Sequence, residues 1–408
     1  MVREESEVGR NAAGEEKTRV LPELSLYVHL PWCVKKCPYC DFNSHGLKGA
    51  LPENAYVDAL LRDLDQDLPR VAGREIQTMF FGGGTPSLFS AEAIGRFLEG
   101  VRARLPVAAD AEITLEANPG TVERGRFAAY KGVGVTRLSI GVQSFDPKKL
   151  EVLGRIHSNE EAIRAAEEAH AAGLSNFNLD LMYALPRQTL EEAEADVQQA
   201  MALKPAHLSH YQLTLEPNTL FHAHPPVLPE EESMWAMQER CQELLADGGY
   251  GQYEISAYAQ PGRQARHNLN YWRFGDYLGI GAGAHGKLTD ALGTVTRLWK
   301  LKHPDAYLES AGTPKSLGGV SRLSEADLAF EFMLNRLRLV EPFRVAEFES
   351  VTGLKVEQIR PSLERALTLG LLQTTPDGWQ VTQRGHNYLN DLQSLFLPSQ
   401  DASRKVSA

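Results

Sequence analysis

From Leu24 onward the chain alternates short apolar runs with amphipathic stretches, and Gly or Pro punctuates most joints, as at Gly132, Gly134, Gly173 and Pro205. The pattern predicts strands over 24–30, 76–81, 112–116, 136–140, 176–182 and 208–213. It predicts helices over 53–68, 91–104, 124–131, 160–172 and 190–203. Strands alternating with helices imply a parallel sheet, because each parallel connection needs a crossover long enough to hold a helix. Six such units make an open, partial (β/α)6 barrel, whose functional groups should gather at the carboxyl ends of the strands.

The polar motifs obey that rule. Cys33-Val-Lys-Lys-Cys37-Pro-Tyr-Cys40 follows the first strand, and Gly82-Gly83-Gly84-Thr85-Pro86 follows the second. Glu116 ends the third, Gln143 follows the fourth and Asp180 sits near the end of the fifth. A loop as short as the cysteine segment can aim three thiolates at one centre, one fewer than a closed tetrahedral site needs. An iron-sulfur cubane held this way keeps one iron free to bind a small molecule such as S-adenosylmethionine.

Three blander readings compete. A disulfide framework is disfavoured by only four cysteines in 408 residues with no signal peptide before them. A zinc site with His29 or His45 as fourth ligand lacks the usual second, distant pair of ligands. Simple burial of the thiols fits poorly with neighbouring Pro31, Lys35, Lys36 and Pro38, and the lysines should favour thiolates. Cys241 differs: Met234, Met237, Cys241, Leu244 and Leu245 share a helical face, which reads as core.

A formal charge of −11 argues against broad nucleic-acid binding. No apolar run is long enough to span a bilayer, so an integral membrane protein is not expected. Residues 1–23 are charged, lack an apolar signal core and read as a disordered extension. Glu4, Glu5, Glu7, Glu15 and Glu16 make them unlike a mitochondrial transit peptide. A soluble, cytoplasmic setting is expected.

Residues 24–220 form the predicted barrel, and 221–315 a less regular connecting segment. That segment holds Arg266-His267-Asn268-Leu269-Asn270-Tyr271-Trp272, followed by glycine-rich Gly279-Ile280-Gly281-Ala282-Gly283-Ala284-His285-Gly286. His267 is a candidate axial iron ligand, with Tyr271 and Trp272 against a macrocycle and Arg263 or Arg266 near propionates. The alternative is a histidine hydrogen-bonded in an aromatic domain interface. Residues 316–397 read as helices over 325–337, 343–351 and 356–369, a hairpin with an Asp377-Gly378 turn, and a last helix over 383–396. Three helices and a wing resemble a winged helix, yet Arg360 and Arg365 are offset by Glu357 and Glu364, which favours a docking or lid role over DNA binding. Residues 398–408 form a tail.

Tyr27-Val28-His29-Leu30-Pro31-Trp32-Cys33, with Cys37, Tyr39 and Cys40, resembles the radical SAM group around oxygen-independent coproporphyrinogen III oxidase. Gly82 to Pro86, Leu115-Glu116-Ala117-Asn118-Pro119, Gly141-Val142-Gln143-Ser144-Phe145 and Asn178-Leu179-Asp180-Leu181-Met182 continue the likeness in order. Within that group the chain resembles the HemW-like heme chaperones more than the oxidase. Phe42 stands where the oxidase carries a further cysteine, and His267 to Trp272 match an H-N-x-x-Y-W motif. The resemblance implies a [4Fe-4S] cluster on Cys33, Cys37 and Cys40. It implies an S-adenosylmethionine site lined by Tyr27, Tyr39, Gly83, Gly84, Thr85, Glu116, Gln143, Arg155 and Asp180, and heme contact at His267. The implied function is to bind heme and pass it to an acceptor hemoprotein such as a membrane respiratory component. The alternatives are a coproporphyrinogen III dehydrogenase, or another radical SAM oxidoreductase of tetrapyrrole metabolism, and a zinc-bound interaction protein.

Overall fold

A computed structural model of the chain describes residues 21–398, apart from residue 72 and residues 122–124. The expected parallel strands are Leu24–Leu30 (β1), Ile76–Gly83 (β2), Val107–Ala117 (β3), Arg137–Gln143 (β4), Phe177–Tyr183 (β5) and His207–Gln212 (β6). They lie side by side in chain order. A further parallel strand, Asp276–Ile280 (β7), pairs with the free edge of β1, from Leu24 opposite Asp276 to Val28 opposite Ile280. Antiparallel strands extend both ends into one open 12-stranded sheet. Ala257–Ala259 and Gly251–Glu254 follow β6, while His285–Thr289, Val295–Lys300 and Leu317–Arg322 follow β7.

Strand alternation explains where the site lies. Leu24, Leu26, Val28, Met79, Phe81, Ile113, Leu115, Leu138, Ile140, Leu179 and Leu181 join one apolar core with the helices. The intervening positions carry polar side chains that meet across the opposite face: Ser25 bonds Thr78 at 2.8 Å, and Ser139 donates to Asp180 at 3.0 Å. Both faces are buried, yet only one is apolar. A parallel sheet packed on both faces normally reads as continuous apolar runs, so the alternation marks the polar face as a place for ligands.

The crossover helices begin at strong caps. Ser158 and Thr189 each form a capping box, with Glu161 and Glu192 reaching back to the cap N–H. The helix expected over 124–131 runs from Arg126 to Gly132, and its expected first residue falls outside the described segment. The glycine-rich stretch after β7 is a tight reversal. A Cβ on Gly279 would sit 1.9 Å from the His285 carbonyl, and Gly281, at φ +102°, lies against the His29 backbone. Short strands and glycines hid this extension from the periodicity. Buried ion pairs fasten it: Lys300 donates to Asp63 and Asp67, and Asp276 accepts from Lys287 and Arg74.

The C-terminal part packs helices Glu325–Arg336, Val345–Thr352 and Arg360–Thr368 against a small sheet of Phe343–Arg344, Gly378–Val381 and Leu372–Thr375. The expected last helix is broken at Tyr388 into Gln383–Asn387 and Leu389–Ser394. Phe274 and Val295 of the extension belong to the same core as Phe332 and Phe348. Residues 1–20 and 399–408 lie outside the described residues. Of the expected N-terminal extension, Glu23 is fixed, its carbonyl accepting from Asp276 N–H at 2.9 Å.

Candidate functional site

The cysteine loop leaves the end of β1 and is braced from two sides. Gly84 N–H donates to Leu30 O at 2.8 Å and Thr85 N–H to Trp32 O at 2.7 Å. Asn43 Nδ2 donates to the carbonyls of Ala282 and Lys302, both at 2.9 Å. Glycine is required at positions 83 and 84 because added Cβ atoms would meet the His29 ring and the Trp32 carbonyl, each at 2.5 Å. The glycine turn therefore supports the cysteine loop besides offering a backbone edge.

Cys33, Cys37 and Cys40 are free thiols on one cavity of about 410 Å³. The same cavity is lined by Tyr39, Gly83, Gly84, Thr85, Glu116, Gln143, Arg155 and Asp180. Burial raises the pKa of Cys33 and Cys40, so the expected pull of the neighbouring lysines toward thiolate does not prevail there. Lys36 instead donates to the Phe42 and Ser44 carbonyls. A single zinc ion, with bonds of about 2.3 Å, would need its sulfurs within about 4 Å of each other. Among the described residues no three His, Cys, Asp or Glu side chains are grouped tightly enough to hold one ion. A cubane holds its thiolates farther apart, which suits three sulfurs spread around a cavity.

Arg155 is the best-placed cation. Its Nη2 donates to Gly141 O at 2.6 Å and its Nη1 to Cys37 Sγ at 3.6 Å, while its buried Nε has no partner among the described residues. An orphan donor beside three thiols fits an anionic ligand group. Gln143 sits at φ +72°, where the β4–β5 register shifts, and Tyr211 donates to its Oε1 at 2.8 Å. Strain of this kind is retained where a side chain must be aimed. Desolvation, then the charge of Asp180, pushes the Glu116 pKa up to about 8. Asp180 is also raised by burial, against hydrogen bonds from Asn178 and Ser139. Glu116 can therefore donate as well as accept hydrogen bonds near neutral pH. Sequence reasoning missed Tyr211; its signal was the alternation of His207, Ser209 and Tyr211 along β6.

A second cavity, about 540 Å³, shares the wall of Asp41, Phe42, Gly83 and Glu116. Tyr27 lines this second cavity, with Tyr271, Trp272, Phe274 and Tyr277. Lys302, His285 and Arg297 add basic groups, and Asn335 brings in the C-terminal helical domain. Phe42 is 59% exposed between the two cavities. His267 lies behind the aromatic wall and is 1% exposed. Hydrogen bonds join its Nδ1 to Thr78 Oγ1 at 2.7 Å and its Nε2 to Tyr271 OH at 3.0 Å. Burial lowers its pKa to about 3, so the ring is neutral. In this arrangement both ring nitrogens are engaged; contact with an iron requires one of these bonds to break. Arg266 instead pairs with Asp110.

Residues 27–200 match the Radical SAM superfamily and residues 323–386 match the HemN C-terminal domain. The fold agrees: the crystallised coproporphyrinogen III oxidase HemN of Escherichia coli superposes with a TM-score of 0.79 at 24% identity, covering 92% of this chain and 90% of that one. The molecule is therefore a radical SAM protein of the HemN-like architecture. Among curated relatives, the heme chaperone HemW of Escherichia coli is 55% identical over 92% of this chain and 99% of its own length. The heme chaperone HemW of Haemophilus influenzae is 50% identical, over 92% and 98%. The chain belongs to the HemW family.

Proposed function

We propose that this chain binds heme and hands it to an acceptor hemoprotein, and that it carries a [4Fe-4S] cluster on Cys33, Cys37 and Cys40 with S-adenosylmethionine beside it. The observation that carries this reading is the aromatic and basic cavity built by Tyr271 and Trp272 directly against the cysteine cavity. Two relatives at 55% and 50% identity that are named heme chaperones support it.

Within the first cavity the residues divide the work. Arg155 would pair with the cofactor carboxylate. The Gly83–Gly84 edge and Thr85 would meet its amino-acid end, while Glu116, Gln143 and Asp180 would bond ribose hydroxyls. Tyr39, which packs on Phe221, would cover the adenine. The bound cluster would supply an electron to the sulfonium and leave one iron open to its amino and carboxylate groups. In the second cavity His267 holds the hydroxyl of Tyr271 and so acts on heme through that ring.

The acceptor is proposed to be a hemoprotein of the respiratory membrane, reached from the cytoplasm; no described helix is long and apolar enough to cross a membrane. Heme titration of anaerobically purified protein tests the reading. A saturable Soret shift is expected, followed by its decay when an apo-hemoprotein is added. No shift in the wild type would overturn it. The retained cysteine cavity also supports coproporphyrinogen oxidation as a second reading. Sustained protoporphyrinogen production in an anaerobic assay would favour that enzyme over the chaperone.

A further inference from the structure

Two histidines line the aromatic cavity, His29 and His285. His29 is committed: its Nδ1 bonds Tyr27 OH and its Nε2 the Asn43 carbonyl, both at 2.9 Å. His267, behind the wall, is committed at both nitrogens as well. His285 is different. It opens the strand His285–Thr289 on the far side of β7, it is exposed, and among the described residues no hydrogen bond engages its ring. The ring is nevertheless oriented, stacked on Trp299 with centroids 6.3 Å apart and planes at 22°. The glycines before it fix the backbone: Gly279 passes so close to the His285 carbonyl that no side chain fits there.

The rest of the cavity suits a flat, carboxylate-bearing ring. Tyr271 and Tyr277 pack edge to face at 4.3 Å, and the Trp272 ring is backed by the Arg338 guanidinium at 4.4 Å. Trp272 Nε1 is buried and has no acceptor among the described residues. Lys302 lines the cavity and is exposed. A volume of about 540 Å³ falls within the range of roughly 300–1,000 Å³ typical of small-molecule sites.

We propose that His285 is the side chain that takes the iron of heme in this cavity, with Tyr271 and Trp272 against the macrocycle and Lys302 facing a propionate. This rests on the heme reading above and assigns its iron ligand to the glycine-rich segment rather than to His267.

The test is hemin titration of the full chain, reconstituted anaerobically, read by Soret absorbance and by electron paramagnetic resonance of the ferric heme. His285→Ala should weaken binding at least about tenfold and lose the imidazole-ligated signature, and added imidazole should restore that signature. His285→Gln, which keeps bulk against Trp299, should behave likewise, with near-ultraviolet circular dichroism and cluster absorbance unchanged. His267→Ala should weaken binding less and keep the signature. If both His285 variants titrate as wild type, or if only His267→Ala loses an imidazole-rescued signature, the assignment is overturned while the heme reading stands. If the wild type itself gives no Soret shift, the heme reading falls and the assignment with it.

Discussion

Two cavities share a wall of Phe42, Gly83 and Glu116, and they are made of opposite material. The one over β3 to β6 is lined by thiols, glycines, carboxyls and a single orphan guanidinium donor. The one over β1 and β7 is lined by aromatic rings and basic side chains. The same polar sheet face supplies both, because each strand contributes a different polar residue at equivalent positions. Neighbouring registers of one sheet thus build two chemically different cavities on either side of one wall.

The comparison is tested most severely by Cys37→Ala. It should abolish the brown cluster absorbance and the iron and sulfide content, yet change heme affinity in the second cavity by less than about threefold. Parallel loss of heme binding would show that the cavities are one functional unit. Asp276→Ala attacks the other side. It strands the buried Lys287 ammonium, which is stacked over Phe274 on the floor of the aromatic cavity. Removing one partner of a buried pair should cost about 3–5 kcal/mol in denaturant unfolding. Arg155→Gln is milder and selective. Loss of a charge-assisted bond should weaken S-adenosylmethionine binding by calorimetry about 10- to 100-fold and leave heme titration unchanged.

Acidity acts with opposite sign on the two buried histidines and on the shared Glu116. Burial lowers His29 to about 4 and His267 to about 3, below the ordinary histidine value near 6.5. Their contribution is present above pH 6.5 and is lost as pH falls toward 4, by at most about 1.4 kcal/mol per group per unit. Glu116, raised to about 8, behaves oppositely and loses stability as pH climbs from about 4.5 to 8. Urea midpoints at pH 6.5 and 5.5 should drop less in His267→Gln than in the wild type. Equal drops would mean that the imidazole is not held neutral.

Much of this was legible in the chain. The six apolar runs became β1 to β6, and the strand-end rule gathered Glu116, Gln143 and Asp180 on the cysteine cavity. The extension was not legible, because β7 spans only Asp276 to Ile280 and is followed by glycines whose role is close backbone approach. His285 was read as part of that glycine run and so escaped notice. His267 shows the converse limit. A motif announces which residues matter, and its spacing places Tyr271 one helical turn after His267, but the hydrogen bond from His267 to Thr78 comes from β2, which spacing does not encode. The expected last helix broke because Tyr388 adopts φ −114° and ψ 44°, which propensity does not foresee.

The pairing of β1 with β7 has a consequence for synthesis. The strand that leads into the cysteines emerges from the ribosome early, but its second neighbour arrives only when residue 280 has been made. At about 5–20 residues per second, that leaves one border of the nascent sheet bare for about 12–50 seconds. Over the same interval the thiol loop lacks the Ala282 and Lys302 carbonyls that later anchor Asn43. Loading of the proposed cluster is therefore best served after translation has passed that point, when the loop first has a fixed shape to receive it.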